Sequence, residues 1–522
     1  MKRTVFCSFI LATTLFFSAC GGGGGGGSSG GASSGWQSGV FAPSQNFAAQ
    51  CATPRSGIDP YTNAAYPDTP GSELTENEWL RSWTNELYLW YDEVADVDPA
   101  GYSTPDYFDL LKTTALLPSG ARKDRFHFTY ATAEWEALSS SGVEPSYGLL
   151  WSIVAQTPPR KLVVGYIEPQ APAATTATGI RRGAEILTID GIDLVNTTDN
   201  DDIDKLNAAL SPVTVGEMHT FGIRDPDTAT TRNVVLQAAA VTSDPAPTGT
   251  IITTISGDVG YLLFNAHIAP AESELISAVN GLNAIHISDL ILDMRYNGGG
   301  YLDIASELAY MIAGPTPTAN AIFASIHFNA KYPGLNPVTN TALTPEPFLD
   351  VAQGFSASAG QALPTLNLSR VFVLTGPETC SASEALINAL RGVGVEVIQI
   401  GGETCGKPYG FYPQDNCGTT YFSIEFQLTN ALGFGDYDEG FSPNNDYAGN
   451  GVKLPGCAVA DDFSHQLGDS AEARLAAALN YRLTQTCPTP SSTLAPTLLR
   501  PLPAGTGGAI ELSPWHRNQI LR

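Results

Sequence analysis

The chain has 522 residues, enough for about two to four domains with sizeable cores. With 43% hydrophobic and 15% charged residues, its composition excludes general disorder. Acidic residues outnumber basic ones 52 to 26, for a net charge of -26. That balance argues against nucleic acid as a partner, because phosphate binding needs clustered Lys and Arg, and it reads as a solubility feature.

The first nineteen residues read as an export signal: Lys2 and Arg3, an apolar run from Val5 to Phe17, then Ser18 and Ala19. The run is too short to cross a bilayer comfortably. Phe17-Ser18-Ala19-Cys20 resembles a bacterial lipobox, which implies a lipid on Cys20 and membrane anchoring; a plain signal peptide is the alternative. Seven glycines, Gly21 to Gly27, follow as a tether. Gly21 directly after the cysteine resembles outer-membrane sorting in Gram-negative lipoproteins, which implies a periplasm-facing location. Residues 20–70 read as tether and linker.

A helix is expected from Thr75, with Thr75 and Glu78 as a capping box and Trp79, Trp83, Leu87, Trp90 and Tyr91 at helical spacing. A second helix is expected over Asp106 to Lys112, and Lys123-Asp124-Arg125-Phe126 then leads into an alternating segment. Residues 71–140 thus read as a small helical domain.

Residues 141–240 are β-rich. Tyr147-Gly148-Leu149-Leu150, Leu162 to Ile167, and Arg182-Gly183-Ala184-Glu185-Ile186-Leu187-Thr188-Ile189-Asp190-Gly191 follow in order. This order resembles a PDZ domain, in which Tyr147, Gly148 and Leu149 would offer backbone N–H groups to a peptide's terminal carboxylate. A β-rich spacer without a ligand is the alternative.

Residues 241–487 are α/β. Val259 to Phe264, Asp289 to Met294, Val371 to Thr375 and Val395 to Ile400 read as strands, and Ser273 to Leu282 and Ser383 to Arg391 as helices. The Pro- and Thr-rich residues 488–522 read as a tail.

Three segments carry chemistry. Thr379-Cys380-Ser381-Ala382-Ser383-Glu384 joins a buried strand to a helix, so Ser381 faces the positive end of a helix dipole. Ser381 and Glu384 also satisfy Ser-x-x-Glu, so taken alone Ser381 reads more readily as only an N-cap. Gly402-Glu403-Thr404-Cys405-Gly406-Lys407 follows the next strand, and Asp293-x-Arg295-x-Asn297-Gly298-Gly299-Gly300 leaves an earlier one. In this order they resemble the carboxyl-terminal processing (tail-specific) serine protease family over roughly residues 75 to 470. The resemblance implies an α+β multidomain fold with a small N-terminal helical domain, a PDZ-like β-rich domain and a crotonase-like α/β protease core. It implies Ser381 as nucleophile, Lys407 as general base, and the backbone of Gly299 and Ala382 as oxyanion donors. It implies no cofactor, and polypeptide substrates taken through their C-termini. Two positions depart from the family: Lys407 lies 26 residues after Ser381, one more than usual, and Phe411 stands where many members carry a Gln.

The rival reading is a non-catalytic PDZ/crotonase-like binding protein, which the presence of both Ser381 and Lys407 disfavours. A tricorn-like peptidase with a His base lacks a convincing His motif. Ser356-Ala357-Ser358 imitates the nucleophile segment without its acidic continuation, and His465 is a weak candidate base. Of the eight cysteines, Cys7 leaves with the signal and Cys20 takes lipid, leaving Cys51, Cys380, Cys405, Cys417, Cys457 and Cys487 for disulfides. Cys405 and Cys417 flank the short loop holding Lys407 and are the expected pair, with Cys380 as the competing partner. Neither Cys-x-x-Cys nor His-Glu-x-x-His occurs, so no zinc site is expected.

Overall fold

The computed structural model describes residues 36–247, 249–446, 448–488 and 519–521. The export signal, Cys20 and the glycine tether lie outside the described residues. Among the described residues no helix is long and apolar enough to cross a membrane.

The first helix spans Glu73–Leu87 and begins before the expected box. Ser72 is its N-cap: the Thr75 N–H donates to Ser72 Oγ at 3.3 Å, and the Ser72 N–H donates to Thr75 Oγ1 at 2.8 Å. An extended Ser72 with Thr75 three residues on satisfies two donors reciprocally, which Thr75 and Glu78 do not. Trp79 and Trp83 stack with ring centroids 5.2 Å apart and meet Tyr421 of the core, so the aromatic stripe is packing. The second helix, Thr104–Leu110, starts earlier than expected because Ser103 caps it and Pro105 fits its first turn.

Residues 36–70 are more than linker. Gln50–Cys51 pairs in parallel with Thr69–Pro70, Ser44 donates through N–H and hydroxyl to Glu86, and Cys51 is bonded to Cys417. Phe128–Ala131 likewise leaves the helical region to join a three-stranded sheet with Thr419–Phe422 and Gln414–Asn416.

In the second region, five strands pair antiparallel in the order Thr231–Gln237, Met218–Arg224, Glu185–Ile189, Lys161–Ile167 and Leu149–Ala155. Helix Asn200–Leu210 buries Leu206, Ala209 and Leu210 in the same core as Trp151, Ile186 and Phe221. Leu149–Ala155 is an edge strand, and a groove of about 110 Å³ separates it from the C-terminal end of that helix.

The third region is built on a six-stranded sheet in the order Thr250–Thr254, Gly257–Leu263, Asp289–Asp293, Arg370–Thr375, Glu396–Gly401 and Gly456–Ala458. The first pair is antiparallel and the rest are parallel. Side chains alternate between two cores, as strand geometry requires. Leu290, Leu292, Val371 and Val373 pack with helices Ala271–Ile285, Leu302–Ala313 and Ala382–Gly392, while Ile291, Phe372, Leu374 and Ile400 pack with helix Ala473–Thr484. Near-continuous apolar strands such as Asp289–Asp293 follow from this two-sided cover. The expected tail also ends in structure: Gln519–Leu521 forms a strand parallel to Gly299–Tyr301.

Candidate active site

Two parallel strands end at the site. Arg370–Thr375 runs through Gly376–Cys380 into helix Ala382–Gly392, with Ser381 at the junction. Ser381 has φ 62° and ψ -116°, not the extended conformation of an ordinary N-cap. A positive φ at a non-glycine residue is a strained conformation that the surroundings must hold. Ser381 is fully buried, and its Oγ makes no hydrogen bond to any described residue. The neighbouring Glu396–Gly401 strand leads to Lys407, also fully buried.

Glu384 joins the two loops. Its Oε2 accepts the N–H of Ser381 at 3.0 Å and the N–H of Lys407 at 2.8 Å. Its Oε1 accepts the N–H of Gly406 at 2.8 Å and the Thr404 hydroxyl. Burial raises the Glu384 pKa, while these donors favour its charged form. The loops are also joined covalently by Cys380–Cys405, with Cα atoms 5.1 Å apart. The expected Cys405–Cys417 bridge is therefore not formed. Cys405 is held against the nucleophile loop by its N–H to Thr379 O, at 3.0 Å, while Cys417 sits in the turn between Gln414–Asn416 and Thr419–Phe422, beside Cys51.

The Lys407 ammonium lies 4.2 Å from the Phe411 ring centroid and 5.1 Å from that of Phe126. Burial among these rings drives its pKa well below the usual lysine range, and the charges of Asp124 and Glu384 oppose the shift only partly. Phe411, where a Gln is common, thus supplies an aromatic face. Arg125 clamps the base loop by donating to Cys405 O at 2.5 Å and Asp438 O at 3.2 Å.

The glycine-rich loop forms the facing wall. Asn297 O accepts from Cys380 N–H at 3.0 Å and from the Ser383 hydroxyl at 3.1 Å. The Gly299 N–H, expected as an oxyanion donor, is committed to Asn297 Oδ1 at 3.0 Å, because the short Asn side chain folds back on its own turn. The Ala382 N–H opens a helix and has no intrahelical acceptor, so it remains the available donor. Behind the loop, His267 Nδ1 lies 3.0 Å from the same Asn297 oxygen; burial pushes its pKa down to about 3 and keeps it neutral. Arg295 does not face the cleft. It makes paired bonds to Asp293, at 2.9 Å each, and to Glu472, at 2.8 and 3.0 Å, fixing the root of the loop.

The remaining candidates are placed elsewhere. Tyr147 is buried and donates its hydroxyl to Ala209 O at 3.1 Å; the Gly148 N–H donates to Ser146 Oγ at 2.9 Å. Tyr147 is thus a core residue and the Gly148 donor is occupied, while Leu149 lines the groove. Gly148 and Leu149 do line a second cavity together with Gly298 and Gly299. Ser356 is bound to Pro270 O and Ser273 at the start of helix Ala271–Ile285, and His465 to Asp462 at 2.7 Å within its own loop. Glu384, Asp124 and Phe126 escaped the sequence reading as site residues. The Ser-x-x-Glu spacing was the signal for Glu384, but it read as a helix cap.

Residues 258–410 match peptidase family S41, and residues 75–129 match the peptidase S41 N-terminal domain. The chain is thus similar to peptidase family S41 over these two segments. S41 peptidases are serine-type peptidases. A carboxyl-terminal-processing protease of Picosynechococcus sp. is 27% identical over 271 residues, covering 52% of this chain and 56% of that relative. The chain thus spans about half the length of that relative. A solved S41 protein from Bacteroides fragilis is 22% identical, covers 81% of this chain and 98% of its own, and shares the fold with a TM-score of 0.56.

Proposed function

We propose that this protein is a peptidase of family S41, an endopeptidase of the carboxyl-terminal processing type, with Ser381 as nucleophile and Lys407 as general base. The observation that carries the reading is the shared Glu384 Oε2, which pins the backbones of both residues while Lys407 is stripped of water. A neutral Lys407 amine accepts the Ser381 proton as Oγ attacks the scissile carbonyl, and returns it to the leaving amine. The Ala382 N–H and the helix dipole stabilise the oxyanion. Water then hydrolyses the acyl-enzyme by the same route. The groove beside Leu149–Ala155 is suited to adding a substrate's C-terminal segment as a strand, a role that fits the name of the Picosynechococcus relative. The motif at Cys20 supports export and lipid anchoring on a periplasm-facing membrane; an intact mass without lipid would refute it.

A fluorophosphonate probe, followed by mapping of the labelled peptide, tests the chemistry. Label confined to Ser381, with cleavage of an unfolded protein lost in Ser381→Ala, Lys407→Ala and Lys407→Arg, is the expected result. Arginine fails because guanidinium stays protonated. Near wild-type cleavage by Lys407→Ala would overturn the assignment, and cleavage by none of the forms would favour a binding protein.

A further inference from the structure

The strand Gly299–Tyr301 has two edges. One is closed by the core: the His267 N–H donates to Gly299 O at 2.9 Å, and the Tyr301 N–H donates to His267 O at 2.7 Å. Only glycine fits at position 300, where a Cβ would stand 2.1 Å from His267 O. The other edge is occupied by a segment far away in sequence. Gln519, Ile520 and Leu521 pair in parallel with Gly299, Gly300 and Tyr301. The same segment also meets Tyr409–Gly410, which begins two residues after Lys407. Gln519–Leu521 therefore adjoins both the strand that follows the Asn297 loop and the strand that follows the base.

We propose that the C-terminal segment Gln519–Leu521 is a resident pseudo-substrate: it fills the strand position that a polypeptide takes in the cleft and competes with it. Pairing through backbone groups is tolerant of sequence, so one edge can accept both the tail and diverse substrates. A tethered competitor acts at a fixed effective concentration and must be displaced at each substrate encounter. Its cost falls on substrate binding, because once the tail has left, the residues that break the bond are unchanged.

This inference rests on the protease reading for what the competing ligand is, but its test has a readout without hydrolysis. Ile520→Pro and Leu521→Pro, each in the full chain, remove a ladder N–H and fix φ at a strand position. Binding of a fluorescein-labelled synthetic peptide of residues 512–522 is measured by anisotropy for wild type and each variant. KM and kcat are measured in parallel with a fluorogenic peptide. At least one proline variant should bind the labelled peptide about five- to tenfold more tightly than wild type and show KM lowered by a similar factor at unchanged kcat. Equal peptide affinity in all three forms, or no binding by any, overturns the proposal. Tighter peptide binding by a variant without hydrolysis by any form keeps the tail in the cleft and removes the protease reading. Hydrolysis with equal KM and equal peptide affinity does the reverse.

Discussion

Replacing Glu384 by Gln tests whether one carboxylate holds the nucleophile and base loops together. The carboxylate accepts four donors, two on each oxygen. Gln keeps one oxygen and turns the other into an NH2 group that faces two donors. The less costly orientation places the NH2 toward Thr404, whose hydroxyl can turn to accept, and leaves the Gly406 N–H unsatisfied. A buried unsatisfied N–H costs about 1–3 kcal/mol, and the surviving bonds to Ser381 and Lys407 lose their charge assistance, about 1 kcal/mol each. The sum is about 3–5 kcal/mol, borne where Ser381 and Lys407 must keep register. Urea unfolding should show most of this loss, and kcat should fall by roughly 100-fold or more with KM little changed, at 1.4 kcal/mol per decade. A Gln variant within about 0.5 kcal/mol of wild type, with kcat retained, would refute the hub.

Two further outcomes follow from bonds and charges elsewhere. Cys380→Ser/Cys405→Ser opens a covalent loop with a sequence separation of 25 and should cost about 3 kcal/mol of unfolding free energy in the chain-entropy estimate, with a larger fall in kcat than in substrate affinity. Equal stability of oxidised wild type and the double variant would contradict it. Glu168, half-buried beside Ser243 and Asp244, has its pKa pushed up to about 7 by desolvation. Its folded form therefore binds the proton more tightly than the unfolded chain, so stability is lost as pH rises from about 4.5 to about 7 and is level above that. Glu168→Gln should remove up to about 3 kcal/mol of the difference in unfolding free energy between pH 5 and pH 8, read by urea unfolding, and an unchanged difference would refute the assignment.

The chemistry-bearing segments were legible because each sits where an apolar strand ends, and two-sided cover makes such strands plain in the sequence. Ser381 and Lys407 fall at the ends of adjacent parallel strands for that reason. The partners that tune them were not legible, because they come from distant segments. Phe126 and Asp124 reach Lys407 across nearly 300 residues of chain, and no periodicity announces that contact. The disulfides failed for a related reason: Cys405 and Cys417 are near in sequence, yet each pairs across elements, with Cys380 and Cys51. Helix starts were missed by about two residues because several polar residues precede the first apolar position and only three-dimensional geometry selects the cap. The segment Gln519–Leu521 looks like tail composition, and its order comes from a sheet edge far away in sequence.

The base pocket has a consequence for the N-terminal region. Lys407 belongs to the core, but one wall of its pocket is Phe126, which is 2% exposed. Two effects of this ring act in opposite directions on the lysine. Excluding water favours the neutral amine, whereas the ring face favours the ammonium, by about 0.5–2 kcal/mol. Burial is the larger, since the net shift is strongly downward. Phe126→Ala and Phe126→Leu separate them. Alanine opens the pocket to solvent beside Asp124, so the lysine pKa should rise and the alkaline-going limb of the rate profile should move to higher pH, costing tenfold at neutral pH for each unit. Leucine keeps the apolar wall but removes the ring face, so that limb should stay or move to lower pH. Profiles of kcat/KM between pH 6 and about 10, with folding checked by urea unfolding, read both. An alanine profile shifted toward acid would show that the ring acts mainly through its face. Coincident profiles for all three forms would show that the N-terminal region does not tune the base.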